Sequence, residues 1–84
     1  MNLEQITRLI DDKIEQNSNK VVITFYEMKI KHNLSDEELI YILNLIATRL
    51  INLGYKVYKT NQKYTYSNKE YKVERNELLI AIKQ

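Results

Sequence analysis

The sequence predicts an α+β fold: three helices with a short strand, then a long C-terminal β-hairpin. Three observations predict it. Apolar residues recur at helical spacing in two segments before Gly54, and from Tyr55 onward the period changes to two. Two capping-box pairs, Thr24 with Glu27 and Ser35 with Glu38, mark places where a helix begins. The chain has 84 residues, 44% of them hydrophobic, with no proline and Gly54 as the sole glycine, so nearly all of it can be helix or strand. That length suits one domain, residues 1–84, which on folding buries roughly 60% of the surface that the unfolded chain exposes.

Leu3, Ile6, Ile10 and Ile14 fall on one helical face, with Glu4, Arg8, Asp11, Asp12 and Glu15 elsewhere, which predicts an amphipathic helix from Asn2 to about Gln16. Asn17-Ser18-Asn19 ends it. The β-branched run Val21 to Thr24 is too short for a helix and predicts a buried strand. Thr24 also opens the second helix, Phe25 to about His32, and Asn33 suits a left-handed stop. The third helix begins at Asp36 after only Asn33-Leu34-Ser35, so the two form a helix-turn-helix. It runs to Leu53, with Leu39, Leu43, Ile46, Leu50 and Leu53 as the expected buried stripe and Gly54 as its C-terminal cap.

Residues Tyr55 to Tyr66 and Tyr71 to Lys83 are expected to pair about a Ser67-Asn68-Lys69-Glu70 tip, with Val57 beside Ile80, Tyr55 beside Ile82 and Tyr66 beside Tyr71. In that register Tyr55, Val57, Leu78, Ile80 and Ile82 face the core. Farther out, Tyr58, Gln62, Tyr64, Tyr66, Tyr71, Val73 and Arg75 share the opposite side.

Cysteine is absent, so disulfides and thiolate metal sites are unavailable, and a cytoplasmic location is expected. The segment from Met1 to Ile14 carries three acids and lacks the basic start and apolar run of a signal peptide. The most apolar run, Leu39 to Leu53, is broken by Asn44, Thr48, Arg49 and Asn52, well short of the roughly 18 apolar residues of a membrane span. A soluble protein is expected.

Net charge is +2, but it is segregated. Residues 1–54 hold Arg8, Lys13, Lys20, Lys29, Lys31 and Arg49 against Glu4, Asp11, Asp12, Glu15, Glu27, Asp36, Glu37 and Glu38, six bases against eight acids. Residues 55–75 hold Lys56, Lys59, Lys63, Lys69, Lys72 and Arg75 against Glu70 and Glu74, six against two. Codon bias toward A and T explains the abundance of Lys, Asn, Ile and Tyr, though less well their segregation.

The order helix, short strand, helix, turn, longer helix, hairpin resembles the winged helix-turn-helix family over the whole chain. Val21-Val22-Ile23-Thr24 stand as first strand, Leu34-Ser35 as turn, Leu50-Ile51-Asn52-Leu53-Gly54-Tyr55 as the close of the recognition-type helix, and Lys56 to Lys83 as the wing. The resemblance is architectural, and implies fold more than function. In most such domains it implies duplex DNA binding, third helix in the major groove and wing on the backbone. Here the leading turn of that helix is Asp36-Glu37-Glu38, which phosphates would repel and which equally serves the helix dipole. Tyr41, Asn44, Thr48 and Arg49 remain to face nucleic acid.

The hairpin is the better candidate, because rings that stack on bases between cations that neutralise phosphates are what a single strand needs. The candidate residues are Lys59, Lys63, Tyr64, Tyr66, Lys69, Tyr71, Lys72 and Arg75, together with Asn44, Thr48 and Arg49. Tyrosine is also a good strand former, and that reading stays open. In its charge placement the chain is similar to winged-helix proteins of mobile genetic elements that bind single-stranded DNA.

The sole histidine, His32, lies beside Lys29 and Lys31, and the sequence shows no nucleophile–base pair, Gly-rich phosphate loop or carboxylates clustered on a pocket-lining face. No catalytic residue, metal or cofactor is expected, and the chain is read as a binder and not an enzyme. A competing function is protein interaction, as an inhibitor, adaptor or dimerisation module. The third helix motivates it, since Ile40, Ile42, Leu45, Ala47 and Ile51 widen its apolar surface. A homodimer through Ile40, Ile42, Leu45 and Ile51 is expected.

Overall fold

The computed structural model describes residues 1–59 and 77–84. Its elements are α1 (Leu3–Gln16), β1 (Lys20–Thr24), a single π-helical turn (Tyr26–Lys31), α2 (Asp36–Asn52), β2 (Tyr55–Lys59) and β3 (Glu77–Lys83). The three strands form one antiparallel sheet in the order β1-β3-β2, making this an α+β domain. The expected tip, the Tyr66–Tyr71 pair and the rest of the outer hairpin lie outside the described residues.

Each helix starts where its side chains satisfy the backbone. Asn2 caps α1, accepting from the Gln5 amide at 2.9 Å while Gln5 Oε1 accepts from the Asn2 amide at 2.9 Å. Ser35 and Glu38 form the same box at the start of α2. The second helical segment covers the expected residues but winds as a π turn, with the His32 amide donating to Glu27 O at 3.0 Å. Asn33, at φ 53°, makes the left-handed stop, after which the Leu34 amide returns to Met28 O at 3.2 Å. The wide turn and its stop let Phe25, Met28 and Leu34 all reach the core.

The core joins Ile6 and Ile10 of α1, Val21 and Ile23 of β1, Leu39, Ile42, Ile46 and Leu50 of α2, and Tyr55, Leu79 and Ala81 of the sheet. The buried stripe of α2 therefore differs from expectation: Ile42 and Ala47 are buried, Leu43 is half-buried, and Leu53 is exposed. A helix with apolar residues on most of its circumference leaves the choice of inner face to its neighbours, and α1 and the sheet select Ile42. Leu3, expected on the inner face of α1, is 69% exposed.

The hairpin register is also corrected, by one residue. Val57 pairs with Ala81, Tyr58 with Ile80, and Tyr55 with Lys83, so Leu79 and Ala81 face the helices while Ile80 and Ile82 do not. A one-residue slip exchanges the faces of a strand. The deciding contact is non-local: β3 is the central strand, and β1 presents Val21 opposite Ala81 and Ile23 opposite Leu79. The ladder then shifts between Ile23 and Thr24, which pairs with Glu77. Leu78 is the extra residue of that bulge, which is why two successive leucines, Leu78 and Leu79, are both buried.

Where α2 ends, Gly54 adopts φ 94°, a left-handed conformation open to glycine and strained for other residues. Lys83 closes this corner, donating to Leu53 O at 2.6 Å with its Nζ 4.7 Å from the centre of the Tyr55 ring. The Tyr55 hydroxyl donates to Ser18 O at 2.6 Å, fixing the ring end that the core cannot satisfy.

Candidate nucleic-acid interface

Of the expected nucleic-acid residues, Lys59, Asn44, Thr48 and Arg49 fall in the described part of the chain. Lys63, Tyr64, Tyr66, Lys69, Tyr71, Lys72 and Arg75 lie outside it. Lys59 closes β2 on the helix side of the sheet, and its ammonium donates to Asn44 Oδ1 on α2. Thr48, one turn further along, turns its hydroxyl inward to donate to Asn44 O at 2.9 Å. Tyr41, Asn44 and Thr48 follow one another at helical spacing on the exposed side of α2, and Tyr41 is 66% exposed. Lys59, Asn44 and Thr48 thus form one polar strip with Tyr41 at its end. Arg49 points elsewhere, toward α1, with its guanidinium 3.9 Å from Asp11 Oδ1.

Two of the acids at the start of α2, Asp36 and Glu38, have local partners. Lys29 Nζ donates to Asp36 Oδ1 at 2.6 Å, and hydrogen bonds from Ser35 hold the Glu38 carboxyl below the ordinary glutamate range. Their placement agrees with capping and dipole stabilisation. Asp36 is almost fully exposed, so its ion pair contributes little to stability.

A more enclosed network joins α1 to the π turn. Lys13 Nζ donates to Glu27 at 2.8 Å, the Thr24 hydroxyl donates to the same carboxylate at 2.9 Å, and the Glu27 amide donates back to Thr24 Oγ1 at 3.2 Å. Burial alone would raise the Glu27 pKa. The hydrogen bonds from Lys13 and Thr24 and the Lys13 charge outweigh it, and the carboxyl titrates below its ordinary value.

For the expected interface on α2, Ile40 and Ile51 are 65% and 57% exposed, whereas Ile42 is a core residue and Leu45 is half-buried against the core. Ile40 and Ile51 lie on one face of the helix, with Asn44 between them. Residues that the candidate set omits are on the sheet: Lys20, Lys56 and Tyr58 are exposed, and Lys56 Nζ lies 5.5 Å from the centre of the Tyr58 ring. The alternation in Tyr55-Lys56-Val57-Tyr58-Lys59 carried the signal for Lys56 and Tyr58; nothing local marked Lys20 as their neighbour across β3.

Among the described residues no group of His, Asp and Glu is arranged to hold a metal ion, and no helix is long and apolar enough to cross a membrane. No protein-family model, curated protein or solved structure matches the chain.

Proposed function

We propose that this chain is a winged-helix nucleic-acid-binding protein that holds single-stranded or weakly specific DNA through its basic, tyrosine-rich hairpin. The observation that carries the reading is the charge segregation: the segment from Tyr55 to Arg75 has six bases against two acids, while the first 54 residues are acidic on balance. The element order and the sheet order β1-β3-β2 suit a winged helix, in which the strands reached after the long helix carry the wing. Asp36, Glu37 and Glu38 weigh against reading a major groove with α2. The strip of Lys59, Asn44 and Thr48 offers a polar shoulder on which a strand leaving the hairpin can rest.

The test is a titration of labelled single-stranded and duplex oligonucleotides at several salt concentrations. Four to six basic contacts give a log-log slope of roughly −3 to −5 on a single strand, at about −0.7 per phosphate. An affinity indifferent to salt would remove nucleic acid as the partner.

A second reading, a protein-interaction or dimerisation module, is favoured by one observation: Ile40, Tyr41 and Ile51 are all more than half exposed on α2. The two readings are compatible, since a twofold dimer through α2 would present two hairpins to one strand.

A further inference from the structure

The sheet has two unlike faces. Val21, Ile23, Leu79, Ala81, Tyr55 and Val57 pack with the helices, while the alternate residues point the other way. Across the three strands these alternates form two rows in register: Val22, Ile80 and Tyr58 in one, Lys20, Ile82 and Lys56 in the other. Val22, Ile80 and Ile82 are half-buried and stand outside the core cluster, Tyr58 is 49% exposed, and both lysines are exposed. One row is apolar and ends in an aromatic ring. The other sets two ammonium groups on either side of an isoleucine.

We propose that this open sheet face is a binding site for single-stranded nucleic acid, separate from the outer hairpin. The proposal rests on the nucleic-acid reading above and adds to it a second contact surface. Tyr58 offers a ring face on which a base can stack, and Val22 and Ile80 continue the apolar floor under the same base and its sugar. Lys20 and Lys56 stand on strands two spacings apart, roughly 10 Å, so a phosphate lying over Ile82 has a cation on each side. Lys56 is already drawn to the π face of Tyr58, where a guest base adds stacking and its phosphate gives the ammonium an anion. Glu77 of β3 sits at the far end of the strand from Ile82, while the two outward-facing lysines, Lys20 and Lys56, both stand at the Ile82 end. The backbone of a bound strand therefore runs at the Lys20/Lys56 end, with its bases directed toward Tyr58. Charge complementarity selects a polyanion, and the exposed ring beside the apolar row selects one that carries bases.

The experiment measures binding of a fluorescent oligothymidylate of about ten nucleotides to the full chain, its Tyr58→Leu variant and its Lys20→Gln/Lys56→Gln double variant. Tyr58→Leu should weaken binding roughly 5- to 150-fold with the salt slope unchanged. The lysine pair should flatten the slope by about 0.7, one phosphate's share. Methyl resonances of Val22, Ile80 and Ile82 should shift on titration in the parent protein, a readout that needs no variant to fold. If the parent binds and Lys63→Gln weakens binding while the sheet variants and these methyls do not respond, the sheet site is wrong and the hairpin reading stands. If the parent binds no oligonucleotide, both fall. Polyglutamate shifting the same methyls as strongly as oligothymidylate would overturn the base-stacking assignment in favour of an acidic protein partner.

Discussion

Replacing Glu27 with Ala tests whether the π turn is held by its network or by apolar packing alone. The carboxylate accepts from Lys13 Nζ at 2.8 Å and from the Thr24 hydroxyl and amide at 2.9 and 3.3 Å. Both side chains of the ion pair are 19% exposed, so it lies between a surface pair, which contributes about 0–1 kcal/mol, and a buried one, whose disruption costs about 3–5 kcal/mol. With about 1.5–3 kcal/mol for hydrogen bonds to a charged group, Glu27→Ala should cost about 2–4 kcal/mol. A domain of this size has about 4–12 kcal/mol in total, and with a urea m-value near 1 kcal/mol/M the midpoint should fall by about 2–4 M. Lys13→Met, which leaves the Thr24 bonds intact, should cost about 1–2 kcal/mol, and a double-mutant cycle should show coupling of about 1 kcal/mol or more. The pH dependence has a definite sign. Because the folded-state pKa of Glu27 is depressed, its contribution is complete above the unfolded value of about 4.3 and is lost as pH falls through the folded value. The advantage of the parent over Glu27→Gln should therefore shrink below about pH 4.3. A midpoint shift under about 0.5 M for Glu27→Ala, or parallel pH profiles for parent and Glu27→Gln, would refute the argument.

Two further outcomes follow from geometry. Gly54→Ala should lower stability by about 1–2 kcal/mol, because φ 94° strains an L-residue even though the new Cβ would meet Lys83 Nζ only in ordinary contact at 3.4 Å; thermal denaturation reads it, and an unchanged midpoint would mean that this corner relaxes freely. Ile40→Ser/Ile51→Ser should weaken self-association on the order of a hundredfold or more, since two isoleucines per protomer leave a twofold contact. Sedimentation velocity decides, and a parent protein that stays monomeric at high micromolar concentration ends the dimer proposal.

The signals that read correctly from the sequence were those written within a few residues. Thr24 with Glu27, Ser35 with Glu38, Asn33 and Gly54 each act on backbone groups nearby, so residue type and spacing suffice to place them. Choices between alternatives of equal local merit were not legible. Ile42 and Leu43 are both apolar and adjacent, and the position of α1 and the sheet decides which is buried. Leu78, Ile80 and Ile82 alternate as well as Leu79 and Ala81 do, and a strand from the other end of the chain sets the face. The same blindness hid the sheet site: Lys20 and Lys56 meet across Ile82 only once β1 and β2 flank β3. Asn44 was marked by its polarity within an apolar helix, while its bond to Lys59 depends on how β2 lies against α2.

The central strand of the sheet is also the last of the three in sequence. The helices and the π turn close hydrogen bonds within a few residues, whereas Lys20 must wait for Ile82 and Tyr55 for Lys83 before either earlier strand has a partner. Much of the sheet's free energy therefore arrives late, after a large loop-closure cost, and docking of residues 77–83 is the expected slow step of folding. A nascent or truncated chain that lacks them carries two β-branched or aromatic strands with open edges on both sides, a form prone to pair with its neighbours. Production of this domain should accordingly be far more sensitive to damage in Leu78-Leu79-Ile80-Ala81 than to changes of similar size in α1.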